Sequence, residues 1–210
     1  MFVISLTSFT RAAIAALCLT GVAAAGAPAQ AYDAAAATTA VPAPDPAKVA
    51  VVEQIYGNLR IIEVMGSGAT QSILKDDDYK EYTPAQRTKL AQFFMDGLEA
   101  AKPSLLHKLA LAHSSKYTMD QLNTLLSLSK ITYVQQLLAK GADASLPDPD
   151  PSIMTPAEKS VFDLLDTEQY TEDFLTESAD FSSINDDVSA VAVAAFQKLA
   201  DWTKTQPQGT

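Results

Sequence analysis

Cysteine is almost missing from this sequence, since Cys18 is the only one in 210 residues. It lies in an apolar N-terminal segment and follows Leu17, whereas a lipid-attachment site has small residues before its cysteine, so we do not expect lipidation. If this segment is removed, the mature chain has no thiol. That excludes an intramolecular disulfide, a thiol nucleophile and a cysteine metal site.

Basic residues are also scarce, with 15 Lys and Arg against 25 Asp and Glu and a formal net charge of −10. A nucleic-acid-binding surface needs positive charge to displace counterions from phosphates, so the composition predicts no nucleic-acid partner. The same balance disfavours adhesion to anionic lipid headgroups. Acidity favours solubility and identifies no partner by itself.

Histidine occurs only at His107 and His113. A spacing of six places the two side chains about 120° apart around a helix, so they do not share one metal ion. We therefore predict surface or hydrogen-bonded histidines and no metal site.

The acidic residues form no recognisable ion-binding or catalytic pattern. The run at 76–78 with Glu81 has consecutive aspartates and no turn glycine, unlike an EF-hand loop, and the acids of the 147–151 loop are typical of a linker. Asp186 and Asp187 are expected to favour the N-terminal dipole of the last helix. No nucleophile elbow or phosphate-binding glycine loop occurs, because the glycines at 66–68 lack a preceding strand and a following Lys-Ser/Thr. We assign no catalytic, cofactor-binding or metal-binding residue, and no cofactor.

The first 31 residues have the layout of a secretory signal peptide. Arg11 is the only charged residue before Asp33, an Ala-rich apolar run follows it, and residues 29–31 form a small-x-small cleavage site. The run is short and weakly hydrophobic for a membrane span, so we predict cleavage after Ala31, a periplasmic location and no membrane span in the mature chain. A retained N-terminal anchor is the alternative. Loss of Arg11 leaves 14 basic against 25 acidic residues, a net charge of −11.

Residues 32–45 are rich in Ala and Pro, and we interpret them as a disordered leader. One all-helical domain is then predicted over residues 46–205. Asp45 and Pro46 have the pattern of an N-cap followed by proline at the first helical position. The apolar spacing of Val52, Ile55 and Ile62 indicates a helix, which we expect Gly66 and Gly68 to end.

Three segments begin with the same capping-box pattern, a threonine followed three residues later by Gln or Glu. Apolar residues recur 7, 10 and 15 positions after each threonine, so we interpret three related helical-hairpin modules. The alternative is that any capped amphipathic helix shows such spacing. The three pairs are Thr83/Gln86, Thr118/Gln121 and Thr155/Glu158.

Other residues mark further helix boundaries. Pro103 predicts either two helices or one kinked helix. The helix that starts near Thr118 is expected to run unbroken to Gly141, and residues 146–153 to form a rigid extended loop. The last helix is predicted from Asn185 to about Thr203. Its expected buried residues are Val188, Val191, Ala195, Leu199 and Trp202. No alternating strand pattern occurs, so the sequence predicts an all-α bundle of seven or eight amphipathic helices.

The stretch at 117–141 resembles an exported bacterial family catalogued as domain of unknown function 2059. The shared features are an aromatic-Thr-x-x-Gln-Leu start, at residues 117–122, and a Leu-Leu-x-Lys end, at residues 137–140. The family's Ser-Pro-x-Gly turn is replaced by the residues at 131–134. The resemblance implies a small helical secreted or periplasmic protein without assigned catalysis, and it carries over no functional residue.

Together these patterns favour a non-catalytic exported protein that binds an envelope component through a helical surface or groove. A carrier of a small apolar ligand, such as a lipid or isoprenoid, is a second hypothesis, and a carboxylate- or metal-dependent enzyme is a third. The aromatic residues that would line an apolar pocket have helical spacing, so ordinary core packing is the better explanation for them. They are Phe93, Phe94, Tyr133, Phe162, Tyr170, Phe174, Phe196 and Trp202.

Overall fold

The computed structural model describes residues 44–142, 145–178 and 180–206, and within them the chain is all-α with no strand. The predicted signal peptide and all but the last two residues of the predicted leader lie outside the described residues. The helices, joined in part by short 3-10 turns, are α1 (Pro46–Asn58), α2 (Ile61–Lys75), α3 (Pro84–His113), α4 (Met119–Ser129), α5 (Thr132–Ala142), α6 (Pro156–Phe162), α7 (Gln169–Ser178) and α8 (Asn185–Thr205).

The predicted helix starts are confirmed. Asp45 caps α1 by accepting from the backbone N–H of Ala47 at 2.9 Å. Both bonds of a capping box form at the start of α3, α4 and α6. At Thr118 the backbone N–H donates to the Gln121 side chain at 2.9 Å, while the Thr118 hydroxyl accepts from the Gln121 N–H at 3.3 Å. Local side chains therefore satisfy backbone donors at the ends of these helices.

The helices that follow the three caps differ in length. α3 has 30 residues, α4 has 11 and α6 has seven. Seven residues past each threonine, Leu90 and Leu125 are buried and Phe162 is partly buried against the same core. The capped starts and their apolar spacing thus recur, whereas the lengths of the helices do not.

The predicted end of the first helix is wrong. The chain breaks at Leu59 and Arg60, and Arg60 adopts the left-handed conformation with φ of 54°. Leu59, Ile61 and Ile62 are all buried. Side chains two positions apart in a straight helix point about 160° apart, so one continuous helix would expose either Leu59 or Ile61. The corner at Arg60 lets all three enter the core.

Gly66 and Gly68 lie inside α2 and do not end it. A Cβ at Gly66 would lie 2.7 Å from Met95 Sδ and 2.9 Å from Leu98 Cδ1, both on α3. Gly66 is therefore required for the close approach of two helices rather than for a helix end.

The prediction of one unbroken helix up to Gly141 is also wrong. The chain bends at Lys130 and Ile131 between α4 and α5. Ile131 is 3% exposed and Val134 is 5% exposed, so the bend turns both toward the core. The Gln135 side chain donates to the carbonyl of Ser129 at 3.0 Å and satisfies a carbonyl at the end of α4.

α3 is the central element of the fold. It runs through Pro103 as one helix, and α1, α2 and α8 all pack against it. α1 also packs on α4, and α2 on α5. The predicted buried face of α8 is confirmed. Val188, Ala195 and Leu199 are buried, and Val191 and Trp202 are partly buried against the core.

Candidate functional site

A polar cluster is enclosed where α1, α3 and α7 meet. The tyrosine–histidine cluster consists of Tyr56 on α1, His113 at the end of α3, Tyr117 just before α4, and Phe174 and Glu177 on α7. The Tyr56 hydroxyl and His113 Nδ1 lie 2.5 Å apart and form a hydrogen bond. Tyr56 is fully buried and His113 is 3% exposed.

Aromatic ring contacts hold this cluster together. Phe174 stacks on Tyr56 with ring centroids 5.5 Å apart and meets the Tyr117 ring edge-on at 5.4 Å. The His113 ring meets Tyr56 edge-on at 5.9 Å. These offset and edge geometries are the favourable ones for aromatic pairs. Phe174 thereby joins α7 to Tyr56 on α1 and to Tyr117 before α4.

Glu177 connects the cluster to solvent. Its two carboxylate oxygens accept from the Tyr117 hydroxyl at 2.7 Å and from Lys116 Nζ at 2.8 Å. Burial alone would raise the pKa of Glu177, but these two hydrogen bonds outweigh it and hold the pKa below its usual value. Glu177 is therefore ionised at neutral pH.

Burial sets the protonation of the Tyr56–His113 pair. Desolvation is the largest cause that raises the pKa of Tyr56, so its hydroxyl keeps the proton. Desolvation is also the largest cause that lowers the pKa of His113, and the positive charge of Lys116 adds to it. At neutral pH a neutral imidazole thus faces a neutral phenol. The hydroxyl donates to Nδ1 when the imidazole proton is on Nε2.

Burial limits the reactions that this cluster can catalyse, because a substrate has to reach its side chains. A general base has to come within hydrogen-bonding distance of a substrate proton, directly or through one water. Tyr56 and His113 are enclosed by packed helices, and the hydroxyl of Ser114 beside them is fully buried without a hydrogen-bond partner among the described residues. As it stands, the cluster fixes the positions of α1, α3 and α7.

The other residues considered from the sequence lie apart from this cluster. His107 is half-exposed, and its Nδ1 lies 2.5 Å from Glu53 Oε1, so each of the two histidines forms a hydrogen bond with a different residue. Asp187 accepts from Lys108 Nζ at 2.7 and 2.8 Å. Residues 76–78 and Glu81 are exposed. Within the described part of the chain, no group of three or more His, Cys, Asp or Glu is placed to hold a metal ion.

The candidate aromatic residues are spread through the core rather than gathered around one space. Phe94 and Phe174 are buried, and Tyr133 meets Phe162 edge-on with ring centroids 5.3 Å apart. Phe93, Tyr170 and Trp202 are partly buried against the core. Phe196 differs, since 39% of it is exposed.

Phe196 belongs to a surface that we call the aromatic edge, made of Tyr79, Tyr82 and Phe196. Ring centroids are 6.2 Å apart for Tyr82 and Phe196 and 6.5 Å apart for Tyr79 and Tyr82. Arg87 fixes the backbone here, because its guanidinium donates to the carbonyls of Tyr82 and Leu74 at 3.2 and 3.3 Å. The segment before α3 and the helix α8 thus present aromatic side chains at one place on the surface.

Sequence reasoning missed both arrangements. Tyr56 and His113 are 57 positions apart, so no local pattern pairs them. One signal was present: His113 follows the buried Leu105 and Leu109 at intervals of four, which places it on the buried face of α3. No sequence pattern indicates the aromatic edge, because Phe196 and Tyr82 lie in segments far apart in the chain.

In the described part of the chain no helix is both long enough and apolar enough to cross a membrane. In comparisons with known proteins, no family model, no curated protein and no solved structure matches this chain.

Proposed function

We propose that this protein is an exported, non-catalytic binding protein of the cell envelope, and that the aromatic edge contacts its protein partner. The observation that carries the proposal is the position of Tyr82 and Phe196. They lie on different elements with their rings in contact, and 39% of Phe196 is exposed to solvent.

The composition of the aromatic edge supports a protein partner. Tyrosine and phenylalanine are enriched in the cores of protein–protein interfaces, where a large apolar surface is ordered at little entropic cost. The edge is also held in place, because Tyr82 precedes the capped start of α3 and Arg87 ties its carbonyl to that helix. A preorganised surface loses less entropy on binding than a flexible one.

The enclosed tyrosine–histidine cluster supports the non-catalytic interpretation. It contains the two largest perturbations of pKa in the described residues, the raised values of Tyr56 and Tyr117, and such perturbations often mark active sites. Here a packed core encloses Tyr56 and His113, so no substrate reaches the hydrogen bond between them without separation of the helices. Structural hydrogen-bond networks perturb pKa values in the same way.

Export is the second part of the proposal. We expect the form that accumulates in the host to begin at Tyr32 and to fractionate with the periplasm. Intact mass measurement of that form is the test. A mass that includes residues 1–31 would contradict cleavage and favour the retained anchor.

The binding surface is tested by photocrosslinking in living cells. A photoreactive residue at Tyr82 should give one crosslinked product of constant mass, and the same residue at Ile153 should give none. Ile153 is the matched control because it is 47% exposed but lies outside the aromatic edge. The product should also disappear when Phe196→Ser is introduced. Equal crosslinking at both positions, or none at Tyr82, would contradict the proposal.

Native mass spectrometry of the same gently purified protein tests the two other hypotheses from the sequence. A bare chain mass agrees with the binding-protein proposal. Extra mass that solvent extraction removes would favour the carrier of an apolar ligand, and a stoichiometric metal would favour the enzyme.

We further propose that the chain is a diverged relative of the exported family that residues 117–141 resemble. The capping box at Thr118 supports this, as does the chain bend at Lys130, directly before the segment that departs from the family pattern. A solved structure of a family member tests it. Superposition of its helices on α4 and α5 is expected, and a different helix order would contradict the relation.

A further inference from the structure

The outward face of α8 carries almost no charge over three turns. Ala190, Val193, Gln197 and Ala200 are exposed and recur at alternating intervals of three and four residues. Val193 is 57% exposed, more than any other large apolar residue among the described ones. Exposed helix faces are normally polar, so an apolar face that none of the described helices covers is a candidate binding surface.

The ends of this face carry opposite charges. Asp186 lies one turn before Ala190 and Lys204 lies one turn after Ala200, and both are exposed. Within the chain Lys204 Nζ also lies 2.8 Å from Asp201 Oδ1, in a pair that is largely exposed to solvent. The six residues 186, 190, 193, 197, 200 and 204 together have the seam spacing of a coiled coil. We call them the outer seam of α8.

We propose that the outer seam of α8 binds the outer seam of a second copy, with the two helices antiparallel about a two-fold axis near position 195. The pairing follows from the sequence of the seam. Asp186 and Lys204 lie at equal distances on either side of position 195, as do Ala190 and Ala200, and Val193 and Gln197. In an isologous interface each residue meets the one equidistant from the axis.

Charge selects this orientation over the alternatives. Antiparallel pairing places Asp186 of each copy opposite Lys204 of the other, so at each end of the seam Lys204 bridges its own Asp201 and the Asp186 of the second copy. Parallel pairing would instead place like charges opposite each other at both ends. The seam itself is neutral, whereas the whole chain has a net charge of −10, so long-range repulsion between copies is smallest where the seams meet.

Side-chain size favours close contact. Alanine at two of the four central positions allows the helix axes to approach toward the short end of the usual 8–10 Å. The exposed Val193 then packs beside Gln197 of the other copy. A seam from 186 to 204 is about 27 Å long. One helix pair of this length belongs to the small, transient class of interfaces, so we expect a dissociation constant between about 1 μM and 1 mM.

This inference goes beyond the proposed function and does not depend on it. Phe196 lies about 60° around α8 from Val193, toward Tyr82, so the aromatic edge borders the outer seam without being part of its centre. Crosslinking from Tyr82 and dimerisation through Val193 can therefore succeed or fail separately.

Sedimentation equilibrium of the protein, purified in the form that accumulates in its host, is the first test. We expect a monomer–dimer equilibrium that Val193→Glu weakens at least about tenfold, because the substitution buries an unpaired charge in the interface. The control Ile153→Glu changes an equally apolar exposed residue elsewhere and should leave association unchanged. The proposal would be overturned if the protein is monomeric at all concentrations up to about 1 mM, or if Val193→Glu leaves the dissociation constant of the dimer unchanged.

A charge swap tests the orientation. Asp186→Lys alone and Lys204→Asp alone should each weaken the dimer about twofold to tenfold at low ionic strength. The double variant D186K/K204D should restore it, since the opposite charges face each other again. Failure of the double variant to restore association would overturn antiparallel pairing.

Disulfide trapping gives an independent answer. In the antiparallel dimer, the two copies of position 190 lie about 15 Å apart along the axis, while position 190 of one copy faces position 200 of the other. A mixture of A190C and A200C should therefore form mixed disulfide dimers, whereas A190C alone should not. Efficient trapping of A190C with itself would show parallel pairing and overturn the proposal.

Discussion

α3 and α8 are the two longest helices, and they differ in how many of their faces are covered. α3 packs against α1, α2 and α8 and buries eight residues along its length. α8 packs mainly on α3 and buries Val188, Ala195 and Leu199. α3 is thus covered by three helices, although Leu111 near its end is 39% exposed, while α8 keeps an outward face whose most exposed large residue is Val193. We infer from this difference that α3 serves stability, while the outward face of α8 is available for binding.

The largest expected difference between the two helices is in the free energy of unfolding after truncation. Leu105→Ala on α3 should lower it by about 2–5 kcal/mol, because the side chain is fully buried and leaves a cavity. Val193→Ala on α8 should change it by less than about 0.5 kcal/mol. Urea unfolding at a concentration where the protein is monomeric provides the measurement. Similar losses for both variants would show that α8 is covered on both sides.

The contact between the two helices is tested at Gly97. A Cβ there would lie 2.7 Å from Val191 Cγ1 on α8, and valine has little rotamer freedom in a helix. Gly97→Ala should therefore destabilise the protein by about 1–3 kcal/mol, more than the gain of about 1 kcal/mol in helix propensity.

Two controls accompany this variant in thermal unfolding. Gly57→Ala on α1 meets nothing within 4 Å, so it should stabilise by about 0.5–1 kcal/mol. Adding Val191→Ala to Gly97→Ala should recover most of the loss. If Gly97→Ala behaves like Gly57→Ala, the two helices do not approach as closely as described.

The pH dependence of stability tests whether His113, at the end of α3, is neutral within the tyrosine–histidine cluster. Burial holds the pKa of His113 in the folded protein below its value of 6.5 in the unfolded chain. Below about pH 6.5, His113 binds a proton in the unfolded chain but stays neutral in the folded protein. The free energy of unfolding therefore falls as the pH drops, until the pH reaches the pKa of His113 in the folded protein.

His113→Asn retains an acceptor for the Tyr56 hydroxyl and should remove this part of the decline. His107→Asn is the matched control, since His107 is half-exposed and paired with Glu53, and it should keep the decline. A further loss is expected below about pH 4.5 in both variants, because the pKa of Glu177 is lowered in the folded protein. Equal profiles for His113→Asn and the wild type above pH 5 would contradict the assignment.

The smallest expected effect is at Ser114. Its hydroxyl is fully buried without a hydrogen-bond partner among the described residues, so it bears a desolvation cost without a compensating bond. Ser114→Ala should therefore leave the free energy of unfolding unchanged or raise it by up to about 1 kcal/mol. A loss of 1 kcal/mol or more would show that the hydroxyl is hydrogen-bonded in solution.

The local parts of the fold followed from the sequence. Thr83, Thr118 and Thr155 predict their helix starts because a capping box lies within four residues. The buried face of α8 could be predicted because its apolar residues recur with the 3.6-residue period of a helix. These are interactions between near neighbours, which the order of residues specifies directly.

The contacts between distant segments of the chain could not be predicted from the sequence. Gly66 was interpreted as a helix end, but its role depends on Met95 and Leu98, some thirty positions away. The corner at Arg60 is set by burial of Leu59 and Ile61 together, and neither residue is a helix breaker. The Tyr56–His113 bond and the aromatic edge likewise depend on which helices meet, which spacing within one helix does not determine.

Amide hydrogen exchange at two protein concentrations, one below and one above the dissociation constant of the dimer, distinguishes the two helices most clearly. Amides of α3 between Leu90 and Leu109 should exchange slowly and equally at both concentrations, because internal packing already protects them. Amides of α8 between Ala190 and Ala200 should exchange more slowly at the higher concentration. If exchange in α8 is the same at both concentrations, its outward face binds no second copy and the contrast between the two helices is only one of exposure.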